Sequence, residues 1–216
     1  MKTITDQKPA EEIEQLLKGA QKVYLIGCGT CATMCHTGGR SEVLEMKRRL
    51  TKMGKEVTGW MVIPTTCDEL TGEALAQAAA DIEKADCILV LTCAFGVQTI
   101  GRYTDKIVYP ALNTLFIGNE EVPYQFAELC IQCGNCLLGR TAGICPMTAC
   151  PKGLVNGPCG GYRDGMCETD PNRECAWVRI YERLAKVEQL ERMTELQPFK
   201  DYSKMAHPRR IKVEAK

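Results

Sequence analysis

From Val23 to about Gly118 the chain alternates short apolar runs with stretches whose apolar residues recur at spacings of three and four. The runs "VYLIG" (23–27), "EVTGWMVI" (56–63), "CILVLT" (87–92) and "NTLFIG" (113–118) predict four strands. Between the first two, "RSEVLEMKRRLTKMG" (40–54) places Val43, Met46, Leu50 and Met53 on one helix face, with Ser41 able to cap its start and Gly54 to close it. "EALAQAAADIEKA" (73–85) predicts a second helix. Such alternation implies βαβ units, hence an α/β fold with a small parallel sheet, flavodoxin-like or Rossmann-like, and helices on its faces.

From about Cys130 to Cys175 apolar periodicity vanishes and glycine, proline and cysteine take over. A segment of this kind has no hydrophobic core of its own to fold around, and bonds from its thiols to metal are the obvious organiser. Helical spacing returns in "AWVRIYERLAKVEQLERM" (176–193) through Trp177, Ile180, Tyr181, Leu184 and Val187, which predicts a C-terminal helix packed back on one of the domains. The tail from Leu196 has little periodicity and is expected to be extended, either docked on a partner or disordered. Two domains follow: residues 1–122, α/β, and residues 123–216, an irregular cysteine-rich segment with its helix and tail.

Charge and composition narrow the function. Basic and acidic residues balance at 27 each, so no net field favours nucleic acid or an anionic membrane. No run reaches the roughly 18 apolar residues of a membrane span, and the N-terminus lacks a signal core, which points to a cytoplasmic protein. Fourteen cysteines in a reducing compartment then argue for metal rather than disulfides. Cys87, opening an apolar strand without a partner at ligand spacing, fits a small buried hydrophobe instead.

The stretch "VYLIGCGTCATMC" (23–35) reads two ways. Gly27, Gly29 and Ala32 spell the G-x-G-x-x-A turn of dinucleotide-binding folds, but Gly38 and Gly39 oppose an immediate helix and no acidic residue follows about 20 positions on. No bound NAD or flavin is therefore expected. The thiols read better, because Cys28, Cys67 and Cys93 each follow a predicted strand and so meet at the C-terminal edge of the sheet. Cys31 and Cys35 travel with Cys28, giving up to five thiols for a site that needs four. A preformed sheet edge hardly needs zinc to fold, which favours an iron–sulfur cluster there. On this reading Gly27, Gly29, Gly38, Gly39 and Gly96 let backbone N–H groups approach the cluster. His36 is a further possible ligand, more simply an exposed neighbour, and His207 carries no signal.

In the second half "CIQCGNC" sets Cys130, Cys133 and Cys136 at C-x2-C-x2-C, and Cys145 precedes a proline, as in the cysteine run of bacterial ferredoxins. The gap of eight residues between Cys136 and Cys145 departs from that run, and Cys150 before Pro151 is an equally good fourth ligand. Cys159, Cys167 and Cys175 follow at wide intervals. The eight thiols suffice for two four-coordinate sites, the second being either another cluster or a structural Zn2+. In all, two or three [4Fe-4S] clusters are expected, with one Zn2+ in place of one cluster as the alternative.

The segments "GCGTCATMCHTGG", "CPKGLVNGPCGG", "GMCE" and "CAWVRIYERL" together resemble the methylenetetrahydrofolate reductase C-terminal domain family, over nearly the whole chain. In acetogenic bacteria such a chain is the small iron–sulfur subunit beside a flavin-containing reductase subunit. The resemblance implies an electron-transfer role in reducing 5,10-methylenetetrahydrofolate to 5-methyltetrahydrofolate. Its partners would be the flavin subunit and an electron-donor protein. A flavin-bearing (β/α)8 barrel takes about 250 residues, more than this chain can offer. No side chain here suits a general acid or nucleophile, and Asp68 and Glu69 look like a loop or helix start. Two other readings compete: a zinc-structured binding or scaffolding module, and a dithiol redox enzyme using Cys28 and Cys31.

Overall fold

The computed structural model describes residues 2–209, and the chain divides into two compact units between Phe126 and Ala127. The first unit opens with β1 (Lys2–Gln7) and α1 (Ala10–Leu16), then β2 (Lys22–Cys28), a single helical turn α2 (Cys31–Met34) and α3 (Arg40–Lys52). There follow β3 (Glu56–Ile63), α4 (Thr71–Gln77), α5 (Ala79–Glu83), β4 (Cys87–Leu91), α6 (Ala94–Ile100), β5 (Ile107–Pro110), β6 (Leu112–Val122) and β7 (Gln125–Ala127).

Four strands pair in parallel in the order β3-β2-β4-β5, a doubly wound order whose chain direction switches between β2 and β4. Apolar side chains on its two faces form separate clusters. On one, Val23, Leu25 and Leu89 pack with Leu17 of the α1 end and with Val43, Met46 and Leu50 of α3. On the other, Tyr24, Ile26, Ile88 and Val90 pack with Leu75, Ile82 and Ile100 of α4, α5 and α6. Alternate residues of β2 and β4 therefore serve opposite layers, which is why these strands read as unbroken apolar runs.

Helix α3 matches its expected face except at Met53, which is 37% exposed. Its cap also differs. Gly39 precedes the first turn, Glu42 Oε2 accepts the Gly39 N–H at 2.8 Å, and the Ser41 hydroxyl instead donates to Glu42 at 2.9 Å. Gly54 does close the helix, at φ +76°, with Gly54 N–H on Thr51 O and Lys55 N–H on Leu50 O. The helix expected over 73–85 is broken at Ala78 into α4 and α5.

The fourth parallel strand is a correction. It is the short "IVYP" of β5, whereas "NTLFIG" lies inside β6 and pairs antiparallel with β1 in a second sheet ordered β1-β6-β7. That pairing joins Lys2 to Gly118, a closure local patterning does not encode.

The second unit is mostly loop, with one turn of helix α7 (Pro146–Ala149), a hairpin of β8 (Met166–Cys167) and β9 (Asp170–Glu174), and helix α8 (Ala176–Lys186). Helix α8 buries Trp177, Ile180 and Leu184 against Ala142, Ile144, Leu154 and Met193, so the cysteine-rich segment does own a small apolar cluster. Tyr181 and Val187, expected on that face, are about half exposed; Tyr181 lies mid-helix off the buried stripe, and the helix stops before Val187, with Glu188 turning to φ +56°. Beyond it come two 3-10 turns, Leu190–Met193 and Tyr202–Met205. The tail is not loose over its described length. Gln197 and Asn156 exchange two hydrogen bonds, and the Arg209 guanidinium donates to Gln132 O at 3.0 Å. Leu196 and Phe199 point outward, and residues 210–216 lie outside the described part. No helix among the described residues is long and apolar enough to cross a membrane.

Candidate functional site

The C-terminal edge of the parallel sheet gathers the thiols of the first unit. Cys28 ends β2 and is buried, Cys31 starts α2, Cys67 lies in the loop after β3, and Cys93 is the buried residue before α6. Burial first, then the neighbouring thiols of Cys93, Cys28 and Cys31, raise the Cys67 thiol above its ordinary value. The other three are thus close enough to Cys67 to disfavour its thiolate, a repulsion that a cation relieves. Burial also opposes ionisation of Cys28, but hydrogen bonds from Thr30 and Thr66 outweigh it and hold that thiol below its ordinary value. Thr30 Oγ1 lies 3.3 Å from the Cys28 sulfur.

The fifth thiol goes elsewhere. Cys35 Sγ faces Thr3 O of β1 at 3.9 Å, and the loop around it is tied to β1 by Thr5 Oγ1 to Thr37 Oγ1 at 2.7 Å. His36 stacks near Tyr124, ring centroids 5.5 Å apart. Cys87 behaves as a core residue at the other end of the sheet, its thiol pushed up to about 11, chiefly by burial.

The glycines serve packing. A Cβ on Gly38 would stand 2.0 Å from Leu91 O, and one on Gly27 2.5 Å from Gly38 O, so the loop carrying Cys31 can lie on the strand ends only without side chains there. Gly96 likewise sits against the hydroxyls of Thr66 and Thr92, which bond each other at 2.6 Å. A helical turn does begin at Cys31, earlier than the glycines implied, but Cys35 N–H already closes on Cys31 O and the long helix waits until Arg40. Asp68 accepts the Leu70 N–H, the helix-start role expected of it.

In the second unit the "CIQCGNC" loop folds back with Gln132 at φ +52° and Gly134 at φ +73°, and the Gln132 N–H donates to Cys130 Sγ at 3.4 Å. Burial raises the Cys133 thiol, but hydrogen bonding at the Asn135 backbone and the Lys200 ammonium overcome it, leaving the thiol below its ordinary value. The Thr148 hydroxyl lies within bonding distance of both Leu129 O and Cys145 O, which draws Cys145 toward the start of this loop. Cys150, Cys159, Cys167 and Cys175 instead share the lining of one small cavity with Tyr162 and Trp177. Among the described residues, no three ligating side chains stand at metal-binding geometry as they are. What the structure provides is donor sets of the right chemistry, thiols with hydroxyl and amide partners.

A family model described as methylene-tetrahydrofolate reductase C terminal matches residues 109–203. Over that segment, less than half of the chain, the protein is similar to this family. The matched stretch starts in β5 and takes in every thiol from Cys130 to Cys175, whereas "GCGTCATMCHTGG" and the sheet-edge thiols lie outside it. No curated protein and no solved structure matches the chain. The match links this segment to the methylenetetrahydrofolate reductase system.

Sequence reasoning passed over the threonines. Thr30 and Thr66 turn their hydroxyls to Cys28, Thr92 bonds Thr66, and all three sit next to strand ends in "GCGT", "PTTC" and "LTC". A threonine beside each strand-end cysteine is the signal that would have found them.

Proposed function

We propose that this chain is an iron–sulfur electron-transfer subunit that delivers electrons to the flavin of a reductase partner, for conversion of 5,10-methylenetetrahydrofolate to 5-methyltetrahydrofolate. The observation that carries the reading is the convergence of Cys28, Cys31, Cys67 and Cys93 at the switch point of the sheet, where doubly wound folds place their ligands. The ferredoxin-like loop of Cys130, Cys133 and Cys136, with Cys145 as its fourth thiol, supports a second site inside the segment that carries the family match. Each thiol set suits a cubane, which supplies one-electron transfer when bound. The chain's own contribution is to hold the ligands and to donate hydrogen bonds, from Thr30 and Thr66 at one set and from the Gln132 amide at the other, which tune potential.

The test is iron and acid-labile sulfide per chain on anaerobically purified protein, with two variants. Cys67→Ser should lower iron by about four atoms per chain, while Cys35→Ser should leave it unchanged. Colourless wild-type protein with little iron would sink the electron-transfer reading, and iron loss in Cys35→Ser would sink this ligand set.

A further inference from the structure

We propose that Cys150, Cys159, Cys167 and Cys175 form a tetrathiolate site for one Zn2+ that staples the second unit together. This ligand set is separate from the iron–sulfur reading, and it holds whether or not that reading does.

Three observations carry it. First, the four thiols come from four different segments yet line one cavity: Cys150 follows α7, Cys159 lies in "NGPCGG", Cys167 ends β8 and Cys175 precedes α8. Four thiolates are the donor set of a closed structural zinc site. Second, the cavity measures about 20 Å3, room for a single water-sized body. The iron and sulfide core of a cubane is several times larger. Third, hydrogen bonds already tie three of the four segments together. Cys175 N–H donates to Gly165 O at 2.7 Å, joining α8 to the hairpin of Cys167, and Trp177 Nε1 donates to Leu154 O at 3.1 Å, joining α8 to the loop after Cys150.

The energetics explain why such a staple is needed. The apolar cluster of this unit is Cys175, Trp177, Ile180 and Leu184 with a few half-buried neighbours, too small to order its loops unaided. Zinc closing four thiols from Cys150 to Cys175 supplies the missing free energy. Binding releases protons as the thiols become thiolates, and no redox change is involved.

The decisive experiment is elemental analysis of the full chain purified anaerobically. About one zinc per chain is expected in the wild type. Cys167→Ser should lower zinc roughly tenfold with iron unchanged, whereas Cys133→Ser should lower iron with zinc unchanged. Because Cys167→Ser can fail to fold, zinc-edge X-ray absorption of the wild type supplies a second readout, with four sulfurs at about 2.3 Å expected. Zinc absent from the wild type, zinc lost with Cys133→Ser, iron lost with Cys167→Ser, or nitrogen or oxygen in the zinc shell would each overturn the proposal. Iron absent while zinc remains would overturn the electron-transfer reading alone.

Discussion

The two units reach order by different means. In the first, a parallel sheet is covered on both faces by helices, with Leu25, Leu89, Leu50, Ile88 and Ile100 fully buried, and the thiols sit on an edge that exists without them. In the second, glycine turns and loops surround one small cluster, and thiols outnumber core side chains. The same residue type therefore plays opposite parts. On the proposed reading, removing metal from the sheet edge would take away a function, while removing it from the second unit would take away the fold.

That contrast breaks most sharply on metal removal. Anaerobic treatment with a strong chelator should abolish amide-exchange protection in α8 and the β8–β9 hairpin while β2 and β4 keep theirs. Structural zinc contributes an apparent 10–16 kcal/mol or so in small domains, more than this unit's core can replace. Hydrogen exchange by mass spectrometry reads both units in one sample. Protection retained in α8 after the metal is gone would mean that the apolar cluster suffices.

Core truncation comes next in size. Leu89 and Ile180 are both fully buried, and Leu89→Ala or Ile180→Ala should each cost about 2–5 kcal/mol. The consequences should differ, because the second unit has no reserve. The chain holds two tryptophans, Trp60 on β3 and Trp177 on α8, so each unit carries its own fluorescent reporter. In denaturant titrations of the metal-loaded protein, Leu89→Ala should shift the Trp60 transition to lower denaturant but leave it cooperative. Ile180→Ala should broaden or abolish the Trp177 transition. Equal, cooperative shifts would show the units to be equally core-built.

How legible each unit was in the sequence follows the same division. Strands β2, β3 and β4 and helix α3 could be read because their local apolar pattern agrees with their burial. The convergence of Cys28, Cys67 and Cys93 followed from strand polarity alone. Strand β1 could not be read, since "KTITDQ" is polar and gains its place only by pairing with β6, more than a hundred residues away. The same pairing took "NTLFIG" out of the parallel sheet and left the edge to four residues ending at Pro110. Cys35 looked like a ligand because sequence distance from Cys31 says nothing about β1 lying beside it. In the second unit the eight thiols were visible but not their partition, which depends on how α7, the "NGPCGG" loop, the hairpin and α8 meet around a cavity.

A smaller effect isolates the first unit by pH. Cys87 is buried at the start of β4 with its thiol pushed up to about 11 from an ordinary 9, so the folded state keeps a proton that the unfolded state loses. Stability from this group is complete below pH 9 and falls as pH rises toward about 11, by roughly 2–3 kcal/mol. The Trp60 midpoint should drop across that window in the wild type and drop less in Cys87→Ala. Parallel slopes in the two proteins would assign the alkaline loss to other groups.

The smallest test compares two glycines with the same local conformation. Gly54, at φ +76°, ends α3, and Gly165, at φ +78°, turns before the Cys167 hairpin; neither has an atom within 4 Å of where a Cβ would stand. An alanine at either position meets only the left-handed backbone penalty, about 1–2 kcal/mol. In the first unit that penalty is absorbed, and Gly54→Ala should lower the Trp60 midpoint slightly with iron content unchanged. Gly165 also accepts the Cys175 N–H, so the same penalty acts on the frame holding two of the four cavity thiols. Gly165→Ala should therefore speed zinc loss to a colorimetric chelator by roughly five- to thirtyfold, the rate equivalent of that penalty if it is relieved on opening. An unchanged release rate would mean that the hairpin is rigid without its turn glycine, and that the second unit holds its metal site with more of its own structure than its small core suggests.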